Sequence, residues 1–384
     1  MVAAVRRGET IRSVARRFGV SPSHVKRWLD RAADQRLDRL DFGDRQSAPR
    51  RVHNRTSRKV EKLILSTRKQ LRDHSDLGEF GAVAILAELK SHGIRNPPAL
   101  RTIGYILQRL GALDYRRRVR RRPPALGWHL PDVAAGLAEV DAFDFVEGLV
   151  IRGQGEVEVL NVVSLHGGLV ESWPQSSCNA QSALAALLEH WRQVGLPDYA
   201  QFDNDTRFTG PHQHADVIGS IIRVCLSLGV VAVFAPVSEH GFQNAVECYN
   251  GKWQEKVWAR PEHASLSALQ RQSARYVSAH RQRRRARIEQ APPRRKFPPK
   301  WQYNAEQRVK RGRIIFIRRT NDQGMAEGLG HKYVVDEHWA NRLVRCEVNI
   351  AGKEIGFYRL RRSEPDKQPL LRKVAYQLPS RYVK

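Results

Sequence analysis

The chain has 384 residues, and its 66 Lys and Arg against 39 Asp and Glu leave a formal charge of +27, an imbalance that draws polyanions through counterion release. Cys178, Cys225, Cys248 and Cys346 are scattered without CxxC spacing, which argues against a disulfide framework or a zinc site and for reduced thiols. No apolar run is long enough to span a bilayer and the N-terminus lacks a signal-like apolar stretch, so the expectation is a cytoplasmic protein with no membrane partner and with nucleic acid as its polyanion.

Residues 1–35 read as a helix-turn-helix. Ile11, Val14, Ala15 and Phe18 recur with helical spacing, Gly19 supplies a left-handed stop, and Ser21-Pro22 opens a second helix. Val25, Trp28 and Leu29 face the core of this unit, which leaves Ser23, His24, Lys26 and Arg27 on the outer face that such motifs present to the major groove. Residues 36–56 lose periodicity and gain Pro, Gly and charge, as a linker does.

A second helix-turn-helix-like unit spans 57–113, with Val60, Leu63, Ile64 and Leu71 on its first helix, Ile85, Leu86 and Leu89 on its second and Ile103, Ile106, Leu107 and Leu110 on its third facing inward, and Arg101 and Gln108 placed to meet DNA. Residues 114–124 are an arginine-rich linker, including Arg116, Arg117 and Arg118, expected to track phosphates.

From residue 125 to 275 the period changes. Strand-like runs at "GLAEVDAFDF", "EVEVLNVVSLH" and "GGLVESWP" precede alternating helices and short strands, an α/β order with a mixed sheet. Residues 276–303 are basic and Pro-rich and read as a linker crossing DNA or joining subunits. The β-branched runs of 304–363 suggest a small C-terminal β-barrel, followed by a tail over 364–384. The expected fold class is therefore multidomain, with N-terminal all-α units, a central α/β core and a terminal barrel.

Three acids, Asp141, Asp203 and Glu247, fall on different elements of the core that an open α/β sheet brings to one crevice. A carboxylate triad on a basic chain suits hard divalent cations, and two Mg²⁺ ions, with Mn²⁺ as a substitute, would serve in-line phosphoryl transfer. Asp144 is three residues from Asp141, and strand alternation puts the two on opposite faces, so only one can enter the crevice. Asp141 is the expected one. Asp205 reads as a turn or capping residue, with metal binding in place of Asp203 as its alternative, and Glu239 and His240 read as a solvated turn. On the helix that carries Glu247, Lys252 and Lys256 are four apart and would hold a DNA phosphate near the metals.

The order of "EVDAFDF", "LPDYAQFDNDTRF" and "FAPVSEHGFQNAVECYNGKW" behind helix-turn-helix units resembles the DDE insertion-sequence transposases, whose catalytic core is of the retroviral-integrase, ribonuclease H-like kind. Asp203-Asn204 followed by Phe208, and Asn244 with Glu247, carry the resemblance most specifically. Asp205 and Ala245 stand where the family usually has Gly, and the spacing from the second acid to the third is longer than usual.

The resemblance implies an enzyme that cleaves element ends and joins the 3′-hydroxyl to target DNA at one metal site, working as a homo-oligomer on DNA and, in a prokaryote, associated with the nucleoid. Two other functions remain open: a DNA-binding regulator derived from an inactive transposase, and a nuclease on the same fold.

Overall fold

The computed structural model describes residues 1–41, 43, 55–113, 126–211, 215–236, 239, 241–260, 262–306 and 308–379. The chain forms two compact units, Met1–Val60 and Glu61–Lys384.

The first unit is built on α1 (Val2–Arg6), α2 (Ile11–Phe18) and α3 (Pro22–Ala32). Thr10 caps α2 by accepting from the Ser13 amide, Gly19 ends it at φ 63°, and Ser21 caps α3 by accepting from the His24 amide. Ala4, Val14, Ala15 and Val25 close the core, so the short α1 supplies the third wall that two helices alone lack. Phe18, expected inside, is half exposed, and the Arg17 guanidinium lies 5.0 Å from its ring centre.

The helices α4 (Arg58–His74), whose first turn belongs to the first unit, α5 (Ala82–Ser91) and α6 (Leu100–Arg109) bury Ile64, Ile85, Leu89, Ile103, Ile106 and Leu107, whereas Leu63 and Leu110, expected inward, are exposed. The short α7 (Pro131–Ala134) leads into an antiparallel meander of β1 (Val140–Ile151), β2 (Gly155–Ser164) and β3 (Val170–Gln175). Next come α8 (Ala180–Val194), β4 (Tyr199–Phe202), α9 (Thr206–Thr209), α10 (Ser220–Leu228), β5 (Val231–Phe234), α11 (Asn244–Trp253), α12 (Leu266–Arg283) and α13 (Arg285–Glu289). Strands β4 and β5 are parallel to β1, which makes the sheet mixed, as expected.

Both faces of this sheet are covered. One carries α8 and α10 over Phe143, Phe202 and Phe234, and the other carries α11 and α12 over Ala142, Val146 and Val159. Strand β1 serves both, with alternate side chains entering opposite cores, until Gly148 at φ 72° breaks its register with β2 between Val146 and Leu149.

The expected C-terminal barrel is not found. The strands β6 (Arg313–Arg319), β9 (Leu343–Asn349), β10 (Glu354–Arg359) and β11 (Leu370–Ala375) extend the central sheet to nine strands in the order β11-β10-β9-β6-β5-β4-β1-β2-β3, while β7 (Met325–Gly328) and β8 (His331–Val334) form a separate hairpin. β6 pairs in parallel with β5 through Ala232↔Ile314 and Phe234↔Phe316, and Ile314, Phe316, Val348 and Phe357 share a core with Phe143 and Phe202. A β-branched run specifies a strand but not its sheet, and the open edge of β5 offers unpaired backbone groups that β6 satisfies.

The segment expected as the 276–303 linker is folded as well. Tyr276 and Val277 of α12 are buried, Arg281 bonds the Val170 carbonyl and pairs with Glu171, and Arg295 pairs its backbone with Leu196. Its arginines read as part of a linker crossing DNA or joining subunits, yet several serve as donors to carbonyls of the sheet and its loops.

Candidate functional site

The parallel register of β1 and β4 sets Val140, Asp141 and Ala142 opposite Tyr199, Ala200 and Gln201. Two residues further along each chain stand Asp144 and Asp203, level with one another where β4 ends. Asp144 belongs to the face of β1 that α11 covers, and Glu247 occupies the first turn of α11. Burial first, and then the charges of Asp203 and Glu247, push the Asp144 carboxyl up to about 7. Asp203 is also raised, by burial above all, although one of its oxygens accepts from the Asp205 amide at 3.0 Å.

Helix α11 is seated by polar bonds to the sheet. Asn250, one turn after Glu247, donates to Asp144 Oδ2 at 2.7 Å and accepts from Asn161 Nδ2 at 2.8 Å. Asn161 is itself the β2 residue opposite Asp144. One helical turn therefore fixes Glu247 relative to Asp144, because residues three apart share a face. Tyr249 and Ser172 hydroxyls meet at 2.8 Å, and Trp253 Nε1 donates to Ser273 Oγ at 3.0 Å. Asn204 holds the neighbouring loop, donating to the Ala235 carbonyl at 2.6 Å and accepting from Arg318 at 3.0 Å.

Asp141 is placed elsewhere. Its side chain is fully buried on the α8 face, where Arg294 donates from Nη1 to Oδ1 at 2.9 Å and from Nη2 to Oδ2 at 2.5 Å, and Trp191 Nε1 donates at 3.0 Å. Burial alone would raise this carboxyl, but Arg294, with His190 at 3.6 Å, holds it well below the ordinary carboxylate range. The structure thus brings Asp144, not Asp141, to Asp203 and Glu247. Alternation announced that these two residues part company; the face that α11 would cover was not readable from β1 alone.

Asp205 follows its expected turn role. It caps α9 by accepting from the Arg207 amide at 2.7 Å, and its other oxygen pairs with the Arg207 guanidinium, which also reaches Glu147 and sits over the Phe145 ring at 3.7 Å. Among the described residues, no three His, Cys, Asp or Glu side chains are gathered tightly enough to hold a metal ion. No Lys or Arg there pairs with Asp144, Asp203 or Glu247.

The residues expected to meet DNA are distributed as follows. Ser23, Lys26 and Arg27 are exposed on α3, whereas His24 is turned along its own helix, with Trp28 Nε1 donating to its Nε2 at 3.1 Å. Arg101 and Gln108 are exposed on α6, with Arg101 donating to the Tyr105 hydroxyl at 3.0 Å. Arg116, Arg117 and Arg118 lie outside the described residues. Lys252 is exposed, but Lys256 is mostly covered, 5.8 Å from the Phe80 ring centre and paired with Glu255. A π-helical turn over Gln254–Trp258 intervenes, and its wider winding separates two lysines that an α-helix would stack.

Comparison with known proteins gives a first result at the N-terminus, where residues 1–41 match the family described as a homeodomain-like domain. Solved structures of retroviral integrase catalytic cores resemble the chain in fold. The HTLV-2 integrase catalytic core in complex with magnesium is 13% identical, with 41% of this chain and 87% of that chain covered at TM-score 0.26. The BIV integrase catalytic core is 18% identical, covering 36% and 81% at TM-score 0.28. The simian T-cell lymphotropic virus intasome is 13% identical, covering 72% and 87% at TM-score 0.32. No curated protein matches the chain. Among the described residues no helix is long and apolar enough to cross a membrane.

Proposed function

We propose that this chain is a DNA transposase: a polynucleotidyl transferase that frees a 3′-hydroxyl at an element end and joins it to target DNA. The observation that carries this reading is the convergence of Asp144, Asp203 and Glu247 from two parallel strands and one covering helix, where burial first, and then the charges of Asp203 and Glu247, push the Asp144 carboxyl up to about 7. Carboxylates brought near one another with no Lys or Arg ion-paired to them suit a hard divalent ion, because all donors are oxygen and, among cations, only the more distant Arg207 lowers Asp203.

Asp144, Asp203 and Glu247 would hold Mg²⁺. When bound, the metal supplies charge stabilisation to the scissile phosphate and a lowered pKa to the attacking water or hydroxyl. The protein's own part is positional. Asn250 spends its amide on Asp144 and its carbonyl on Asn161, so the Asp144 carboxylate presents a fixed oxygen to the cleft. Asn204 and Arg318 steady the loop that carries Asp203. The exposed Ser23, Lys26 and Arg27 of α3 would recognise element ends, and exposed Lys252 would take a phosphate near the acids. Assembly of several copies on DNA belongs to the same proposal.

The experiment is Mg²⁺-dependent cleavage and joining on DNA that flanks the coding region. Asp144→Asn, Asp203→Asn and Glu247→Gln should each abolish both steps while DNA binding persists. Binding with no cleavage by the unaltered chain would favour the regulator reading instead, and cutting without joining would favour the nuclease.

A further inference from the structure

Around the junction of α12 and α13 the chain places arginine at 281, 283, 284, 285 and 287, and the neighbouring acids divide them into two groups. Arg281 pairs with Glu171 at 2.6 Å, Arg283 with Glu79 at 2.8 Å and Arg285 with Glu289 at 2.8 Å. Arg284 and Arg287 pair with no carboxylate among the described residues, and both turn to one spot above Gly168. Arg287 is anchored there, with Nε donating to the His166 carbonyl and Nη2 to the Leu165 carbonyl at 2.8 Å, which leaves its Nη1 unbonded among the described residues. A Cβ on Gly168, whose φ is 67°, would stand 3.5 Å from that Nη1 and 3.4 Å from Nη1 of Arg284. The two guanidinium nitrogens therefore lie within about 7 Å of one another, over a position where any side chain would intrude.

A third cation joins them. Lys252 of α11 is exposed, and His280, beside all three, is lowered to about 4, by burial first and then by the charges of Arg284, Lys252, Arg287 and Arg283. The carboxylate that reaches Arg287 through space, Glu139, is 1% exposed and accepts from the amides of Val140, His166 and Gly167. It is held inside the fold, so the outer side of the cluster keeps its positive charge. Like charges gathered without an acid repel one another, and an anion with several oxygens, reached by two planar guanidiniums and an ammonium, relieves that repulsion best; phosphate has this form. Lys252, Arg284 and Arg287 also line a cavity of about 310 Å³ whose lining includes Ala142 and Gln201, each two residues before an acid of the site. The cluster is thus on the face of the sheet where Asp144, Asp203 and Glu247 converge, and a polymer of phosphates can reach both.

We propose that Arg284 and Arg287, with Lys252 beside them, hold one DNA backbone phosphate over Gly168. Within the transposase reading, on which the choice of strand rests, this phosphate belongs to the strand whose scissile phosphodiester is presented to the acids: the arginines fix the strand and the acids act on it. A free phosphate ion satisfies the same donors, so the test separates the two sources.

Binding of the full chain to a duplex carrying the DNA that flanks the coding region, and to a random duplex, is measured by fluorescence anisotropy at several chloride concentrations. Divalent metal is left out, so that no cleavage intervenes. Arg284→Gln is the primary variant, because that side chain makes no ion pair whose loss would unfold the chain; Arg284→Gln with Arg287→Gln removes the site. Arg275→Gln with Arg285→Gln takes the same charge from exposed positions of the same two helices. The double variant at the site should lower the slope of log affinity against log salt by about 0.9 on both duplexes, the value for one phosphate. Arg284→Gln alone should shift it in the same direction with an unmoved unfolding midpoint, and the control pair should leave it unchanged. Part of the chloride is then replaced by inorganic phosphate at constant ionic strength. Weaker DNA binding by the unaltered chain, but not by the double variant, would show that the site also takes the free ion; no effect on either would assign it to the DNA backbone. An unchanged slope in both site variants, or an equal loss in the control pair, would overturn the proposal. A chain that shows the Arg284-dependent slope yet neither cuts nor joins DNA in Mg²⁺ would refute the transposase reading and leave this site standing.

Discussion

Replacing Asp141 by Asn separates the two acids of β1 by their physical roles. Asp141 is fully buried and meets Arg294, whose side chain is 14% exposed, through paired hydrogen bonds. The Asn amide would turn a donor toward Arg294 and leave a buried guanidinium without its countercharge, a change that costs about 3–5 kcal/mol in comparable buried pairs. For the unit Glu61–Lys384 that corresponds to a fall in melting temperature of roughly 4–7 °C. Asp144→Asn should behave in the opposite way. Its carboxyl is raised to about 7, mainly by burial and then by Asp203, so the stability tied to its protonation is complete below the ordinary carboxylate pKa and is lost as pH rises through about 7. The neutral amide removes that loss, and Asp144→Asn should be as stable as the parent or more so at neutral pH, yet inactive. The assay is urea unfolding of both variants beside Mg²⁺-dependent joining at a temperature where each is folded. Replacing the pair together, Asp141→Leu with Arg294→Met, should recover most of the loss, because no charge is then left buried alone. An Asp141→Asn protein with an unchanged midpoint and no joining activity would refute this division of roles and return Asp141 to the cleft.

Three further outcomes follow from the same geometry. Mg²⁺ at 100 times its dissociation constant should stabilise the chain by about 2.7 kcal/mol in thermal unfolding, and Asp203→Asn should abolish most of that gain. Burial lowers His129 to about 4 from an ordinary 6.5; the unfolded chain therefore takes up a proton that the folded one refuses, and stability should fall by about 3 kcal/mol as pH drops from 6.5 to 4. His129→Phe should flatten that acid limb in urea midpoints measured across the range, and an unchanged limb would place the titration elsewhere. Lys26→Ala and Arg27→Ala should weaken DNA binding in a mobility-shift titration without moving the unfolding midpoint, as both side chains are exposed.

Local chemistry was legible wherever it closes on itself. Gly19 marks the end of α2 and Ser21 and Pro22 the start of α3, because capping involves residues at most a few positions apart. Asp205 was readable as a cap for the same reason. Long-range partners were not. The runs in β6 and β9 through β11 declare strands, but whether they close on one another or continue the core sheet depends on the free edge of β5, a contact across many residues.

The same limit decided the acids, and it shows where the information lay. Alternation made Asp141 and Asp144 mutually exclusive, yet both are acids in an apolar strand. Their identities diverge only through what arrives from elsewhere: Arg294 and Trp191 on one face, Asn250 and Glu247 on the other. Arg294 lies in the basic, Pro-rich stretch read as a linker crossing DNA or joining subunits, and that reading gave its guanidinium no place beside Asp141. A fully buried carboxylate requires a cation, but among 66 Lys and Arg only the fold singles out Arg294 as the one that meets Asp141. The strand register then completes the choice, since Ala142 beside Gln201 places Asp144 beside Asp203 and leaves Asp141 level with Ala200.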